Sequence, residues 1–292
     1  MQSRRLESFR FWSLLLAPII ALATLAGCAS LDERQRAWIF QPSKDTWWAG
    51  AQATDGMVER WIEFKSQETG EPVKLNALWL PQEGDATAPV LLYLHGARWN
   101  VTGSAPRMRR MHALGFAVLG VDYRGFGKST DTLPSEAMAY EDARAAWDWL
   151  GNELPQSKRF LFGHSLGGAI AVHLATEVED AAGLIVEGGF TSIPDVFGSM
   201  KWGWLPVGGL ITQRFDAASR IGKVKAPVLV VHGSADRLIS PDIGRKLFDS
   251  AREPKRFVLV EGGSHHNTNA VGQSMYREAL SELFGMKFGT PM

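Results

Sequence analysis

Residues Phe160-Leu-Phe-Gly-His-Ser-Leu-Gly-Gly168 carry a short apolar run into a Gly-x-Ser-x-Gly turn, and Ala169–Ala175 continues with helical composition. The order strand, sharp turn, helix gives the pentapeptide its meaning, because the five residues alone arise by chance in a glycine-rich chain. Glycine is needed two positions either side of Ser165, since so tight a turn brings backbone segments closer than side chains permit. The turn lifts the Ser165 hydroxyl off the strand end, and the helix N-terminus beneath it favours developing negative charge. Ser165 is therefore the candidate nucleophile.

A serine at neutral pH needs a base, and the base needs an orienting acid. Two more apolar runs end in suitable residues: Val228–Val231 leads into His232-Gly-Ser-Ala-Asp236, and Phe257–Val260 into Glu261-Gly-Gly-Ser-His265-His266. Asp236 is the candidate acid and His265 the candidate base. His266 competes with its neighbour, and the Gly262-Gly263-Ser264 lead-in favours His265; Glu187, after Leu184–Val186, is the reserve acid. All three candidates follow strand ends, so a parallel sheet would bring them to one edge, where ligands bind in open α/β folds. An oxyanion hole needs two backbone N–H groups. One is that of Leu166; the other comes from the loop His95-Gly-Ala-Arg-Trp99, with Ala97 as donor and Arg98 as the alternative. Asp122-Tyr-Arg124-Gly-Phe-Gly127-Lys-Ser129 reads as a structural turn held by Asp122 and Arg124, because it lacks the spacing of a phosphate loop. The paired histidines come with no metal-binding spacing, so neither metal nor cofactor is expected.

Outward from these motifs, Val90–Leu94, Phe116–Val121, Phe160–Phe162, Leu184–Val186, Val228–Val231 and Phe257–Val260 are continuous apolar runs. Such runs predict strands buried on both faces, hence a parallel sheet. Trp61–Lys65 and Val73–Leu80 alternate instead, as a half-buried antiparallel hairpin around Thr69-Gly70-Glu71 would. Ser135–Leu150 is the clearest amphipathic helix, with Ser135 as N-cap. These elements predict one three-layer α/β domain over residues 56–286, with a mostly parallel sheet and antiparallel N-terminal strands. Residues 188–222, with Trp202, Trp204 and Gly208-Gly209, read as a short cap insertion. Trp99, Phe126, Phe190, Trp202 and Trp204 are candidate walls of an apolar acyl pocket; core or lid packing is the structural alternative.

The chain of motifs His95-Gly96, Asp122–Ser129, Gly163–Gly167, Asp236 and His265 resembles the α/β-hydrolase superfamily. It is most similar to the serine aminopeptidase/monoacylglycerol-lipase-like branch and the BEM46-like (ABHD13/ABHD17-type) hydrolases. The resemblance spans roughly residues 58–285 and implies a serine hydrolase acting through an acyl-enzyme. Relatives of this kind often carry Asn after His-Gly where this chain has Ala97, which keeps the backbone donor and loses a side-chain contact. The expected substrates are small carboxylic esters or thioesters with short- to medium-chain acyl groups. A peptidase or amidase of the same fold is the alternative, and a catalytically silent, membrane-tethered binding protein is another.

Composition agrees with a globular enzyme. The 292 residues hold 31 Lys+Arg against 31 Asp+Glu, which argues against a nucleic-acid partner. One cysteine excludes a disulfide framework and any multi-cysteine metal site. That cysteine has a reading of its own. Arg4, Arg5 and Arg10 precede an apolar stretch from Leu14 to Ala26, as in a secretory signal, and Leu25-Ala-Gly-Cys28 resembles the lipobox of bacterial lipoproteins. The expectation is a signal over residues 1–27, lipid on Cys28, a tether over 28–55, and attachment to the cell envelope, at the periplasmic face of the outer membrane with the inner membrane as the alternative. Removing the signal leaves 28 basic and 30 acidic residues, so acyl chains rather than a polybasic surface would anchor it.

Overall fold

In the strand Val90–Leu94, side chains alternate between two cores: Val90, Leu92 and Leu94 enter one cluster, Leu91 and Tyr93 the other, and all five are buried. A strand with no solvent face belongs at the centre of a sheet covered on both sides, and it sits there. The computed structural model describes residues 27, 29–45, 52–84, 87–200, 203–205 and 208–288. The strands, in chain order, are β1 (Val58–Lys65), β2 (Pro72–Leu80), β3 (Val90–Leu94), β4 (Ala117–Val121), β5 (Arg159–His164), β6 (Ala181–Glu187), β7 (Val228–Gly233) and β8 (Lys255–Val260). They form one sheet in the order β1-β2-β4-β3-β5-β6-β7-β8. β1 with β2 and β2 with β4 are antiparallel, and every other pair is parallel.

Helices cover both faces. Residues 29–40 form a first helix (α1), followed by α2 (Val101–His112), α3 (Glu136–Glu153) and α4 (Leu166–Glu177). Then come α5 (Ile193–Gly198), α6 (Ala218–Ile221), α7 (Pro241–Asp249), α8 (Thr268–Val271) and α9 (Gln273–Phe284). Trp147 of α3, Ile170 of α4 and Leu247 of α7 enter the cluster on one face; Met108 of α2 and Tyr276 of α9 enter that on the other. Ser135 caps α3 as its sequence predicts, its hydroxyl accepting from the Met138 N–H at 3.2 Å. From β3 the chain steps to β4 on one side and then to β5 on the other. That reversal opens a crevice beyond the carboxyl ends of β3 and β5, the place where open α/β sheets bind ligands. Residues 188–222 hold only α5, a 3₁₀ turn at Gly208–Leu210 and α6 among the described residues, a short insertion rather than a second core.

The signal-like segment 1–26 and Cys28 lie outside the described residues, and no described helix is long and apolar enough to cross a membrane. The segment expected as a tether over 28–55 includes α1 among the described residues. α1 is docked: Arg36 donates to the carbonyls of Pro134 (2.9 Å) and Leu133, and the Thr212 hydroxyl donates to Asp32 Oδ1 (2.7 Å). Its helical period escapes a hydrophobicity reading because polar side chains make most of these contacts. Only its C-terminal end is apolar and buried, at Ile39 and Phe40. The Phe40 ring meets Phe126 and Phe215 edge-on, at centroid distances of 6.4 and 5.6 Å. Phe40→Ala is expected to destabilise the protein by about 3–5 kcal/mol, read by denaturant unfolding; a loss under about 1 kcal/mol would mean that α1 is not part of the cooperative fold.

Candidate active site

Ser165 occupies the turn between β5 and α4 with φ 55° and ψ −120°, a left-handed setting rare for a residue with a side chain. The turn is held by the Ser165 N–H donating to the Glu187 carbonyl and the Gly168 N–H to the Ser165 carbonyl, both at 2.9 Å. A Cβ on Gly163 would strike the Gly167 carbonyl, and one on Gly167 would strike the Leu94 carbonyl, so both glycines are steric requirements. A backbone so placed stores on the order of 1–3 kcal/mol and persists only where its surroundings enforce it.

The loops after β7 and β8 are tied together before they deliver Asp236 and His265. The Ala235 N–H donates to the Gly263 carbonyl at 2.8 Å and the Ser234 N–H to that of Val260 at 2.9 Å. His265 Nδ1 then donates to Asp236 Oδ2 at 2.8 Å, with both residues buried. The other carboxylate oxygen accepts from the N–H groups of Leu238 and Ile239, each at 2.9 Å. Burial pushes the Asp236 carboxyl up, but the hydrogen bonds from His232, His265 and Ile239 outweigh it and hold the group far below the ordinary carboxylate range. Asp236 therefore stays ionised.

His266 does not compete for this position. It is exposed, with its ring perpendicular to that of His265 at 5.4 Å. Glu187 is likewise removed from the reserve role. It is buried, accepts from Arg107 Nε at 2.7 Å and from the Tyr276 hydroxyl, and so neutralises a buried guanidinium behind the site. Burial opposes the charge on Arg107, and the neighbouring Glu187 carboxylate together with the Tyr93 and Tyr276 hydroxyls more than compensates. Glu187→Leu leaves that cation unpaired and is expected to cost about 3–5 kcal/mol in unfolding experiments, largely recovered in the Glu187→Leu/Arg107→Met double variant. If the single variant matched the wild type, the ion pair would have no structural role.

Two further histidines buttress the site. His164 Nε2 donates to the His265 carbonyl at 3.0 Å, and burial followed by the charge of Arg107 pushes its pKa well down, so the ring stays neutral. His232 Nε2 donates to the Ile239 carbonyl at 3.0 Å and lies 3.4 Å from Asp236 Oδ2. Their positions flanking Ser165 and Asp236 were the available sequence signal. As expected for a structural turn, Asp122 Oδ1 accepts from the Val101 N–H (2.6 Å), and Arg124 is bonded to Asp142 and Glu141.

Of the two candidate donors after His95-Gly96, Arg98 has its N–H committed to the Phe40 carbonyl at 2.8 Å, which leaves Ala97. That bond ties α1 to the loop, and a bridge between Pro42 and Trp99 and a bond from Asn100 Nδ2 to the Asp45 carbonyl (3.0 Å) reinforce it. Arg98 and Trp99 both have positive φ, 70° and 56°, so the loop holds its shape against an unfavourable backbone. Leu166 begins α4, where first-turn N–H groups have no intrahelical partner.

Ser165, His265, Ala97 and Leu166 line a single cavity of about 610 Å³. The expected walls are partly corrected. Trp99 and Phe190 line it; Trp202 lies outside the described residues. Phe126 is fully buried among Phe40, His95 and Tyr123, and Trp204 is 74% exposed and away from the cavity. Spacing cannot tell an aromatic that supports a wall from one that forms it. Further apolar lining comes from Trp38 and Ile39 of α1, Ile193 and Val196 of α5, and Leu238 and Ile239 beside Asp236. Tryptophan in the polar segment 29–55 was the one sign that α1 contributes. No group of side chains suited to hold a metal ion occurs among the described residues.

The profile of the serine aminopeptidase S33 family matches residues 85–215. An uncharacterized protein of Mycobacterium tuberculosis (strain CDC 1551) is 31% identical over 268 residues, which cover 90% of this chain and 92% of that protein. Protein bem46 of Schizosaccharomyces pombe is 31% identical over 234 residues, 76% of this chain and 77% of its own. Among solved structures, an esterase of Pyrococcus furiosus superposes with a TM-score of 0.65 at 17% identity, covering 85% of this chain and 98% of the esterase. That likeness is one of fold.

Proposed function

Since the chain belongs to the BEM46-like branch of the α/β-hydrolases, we propose that it is a serine hydrolase cleaving carboxylic esters or thioesters of short- to medium-chain acyl groups. Ser165 attacks the acyl carbon as His265 takes its proton. His265 then passes that proton to the leaving alcohol or thiol, and next activates water to release the acyl group. Asp236 fixes the imidazole tautomer and stabilises the imidazolium. The N–H groups of Ala97 and Leu166 receive the oxyanion. The observation that carries this reading is the His265–Asp236 pair at 2.8 Å, opening with Ser165 on one largely apolar cavity. A fluorophosphonate should form a stable adduct on the wild-type protein and none on Ser165→Ala. Absence of any adduct would favour a silent binding protein.

The S33 family match favours one competitor, an amidase or peptidase using the same residues. A series of p-nitrophenyl esters from acetate upward, run beside aminoacyl anilides, separates the two. Turnover of esters alone is expected, and turnover of anilides alone overturns the ester reading. We further propose that Cys28 carries the lipid that holds the protein at the envelope. Radiolabelled palmitate should enter the wild type in cells and not Cys28→Ala, and equal incorporation would refute this.

A further inference from the structure

Charge is distributed unevenly around the cavity. Its charged lining residues, apart from histidine, are Arg98, Arg107 and Arg110, and no aspartate or glutamate is among the described lining residues. Arg107 is neutralised from behind by Glu187 at 2.7 Å. Arg110, one turn further along α2, has no carboxylate partner among the described residues. It is partly buried, and its Nε donates to a neutral amide, Asn269 Oδ1, at 2.9 Å. The carboxylate whose field it feels, Glu187, is already bonded to Arg107. Burial and then the charge of Arg107 both push its pKa down, so the fold holds this cation at a disadvantage. Arg98 also lines the cavity, is exposed, and has its backbone pinned by the Phe40 carbonyl.

A partly desolvated cation without its own counter-ion, in the wall of a substrate cavity, is stabilised when an anion binds beside it. The lining that comes from α1, α5 and Leu238-Ile239 is apolar. We propose that Arg110, assisted by Arg98, forms a subsite for an anionic group, so that the preferred ester joins an apolar acyl chain to a part bearing phosphate or carboxylate. The inference rests on the hydrolase reading and narrows it to an amphiphilic anion. Arg110 acts by holding that charge, at a distance from the bond that is cleaved.

The test is binding to the Ser165→Ala protein, so that it does not depend on turnover. Calorimetric titration would compare dodecyl phosphate, dodecanoate and neutral dodecyl glyceryl ether, all below their micellar concentrations. At least one of the two anions is expected to bind about tenfold or more tightly than the ether, and that preference should shrink as salt is raised. A second variant, Arg110→Gln in the same background, should lose most of the preference and bind the ether within about twofold of its parent. Preference for the phosphate over the carboxylate would identify the group. Equal affinity for anions and ether, or a variant that weakens all three alike, overturns the subsite. Loss of the fluorophosphonate adduct on wild type would instead overturn the hydrolase reading, so the two failures are distinguishable.

Discussion

An alanine at position 165 is expected to lower kcat/KM for p-nitrophenyl esters by on the order of 10⁵–10⁶-fold, leaving only what the oxyanion donors and binding provide. The variant isolates chemistry from folding unusually well. Serine and alanine share the same Cβ, so both meet the same cost at φ 55°, and the N–H that holds the turn to the Glu187 carbonyl is unchanged. Thermal unfolding of the variant should therefore stay within about 1 kcal/mol of wild type while turnover collapses. Retention of more than a hundredth of the activity would place the nucleophile elsewhere.

Asp236→Asn should cost about 10⁴-fold, through a different route. In the wild type one carboxylate oxygen takes two backbone N–H groups and the other takes His265 Nδ1. An asparagine must keep its carbonyl oxygen toward the two N–H groups, which turns its NH₂ toward His265. Nδ1 then has to accept, the ring proton moves to Nε2, and the base can no longer take the serine proton. Fluorophosphonate labelling should slow in parallel, and an activity loss below about tenfold would remove Asp236 from the mechanism. The same substitution has a signature in stability. The folded-state pKa of Asp236 lies below its unfolded value of about 3.9, so its stabilising contribution is fully present above that pH and is lost as pH falls through the lower folded value. Wild-type stability should thus decline more steeply than that of Asp236→Asn once pH drops below about 4. Any acid limb of activity above that pH belongs to a group other than this carboxylate.

Much of this architecture is legible in the residues because each feature leaves a local mark. Strands buried on two faces show as unbroken apolar runs, the turn at Ser165 shows in its glycines, and Ser135 announces the start of α3. Less legible are features decided by partners distant in the chain. Glu187 and Asp236 both follow a buried strand, and what separates them is Arg107, 80 residues from Glu187. The Arg98 N–H is equivalent to that of Ala97 until the Phe40 carbonyl occupies it. Phe126 and Phe190 are the same residue type, and packing against Phe40, His95 and Tyr123 takes the first away from the cavity that the second lines. α1 is hidden for a related reason: its contacts are hydrogen bonds to carbonyls and side chains in other segments.

The docking of α1 bears on how relatives can be compared. The family profile spans residues 85–215, which include Ser165 and the His95–Trp99 loop. Trp38, Ile39, Leu238 and Ile239, which shape what the cavity admits, lie to either side of that span. A shared profile therefore covers the Ser165 turn and the part of the cavity wall that holds Arg98, Arg107 and Arg110, and leaves the walls from α1 and Leu238-Ile239 unmatched. Two members could diverge in substrate by exchanging a dozen residues upstream of the matched region, with every signature motif left intact.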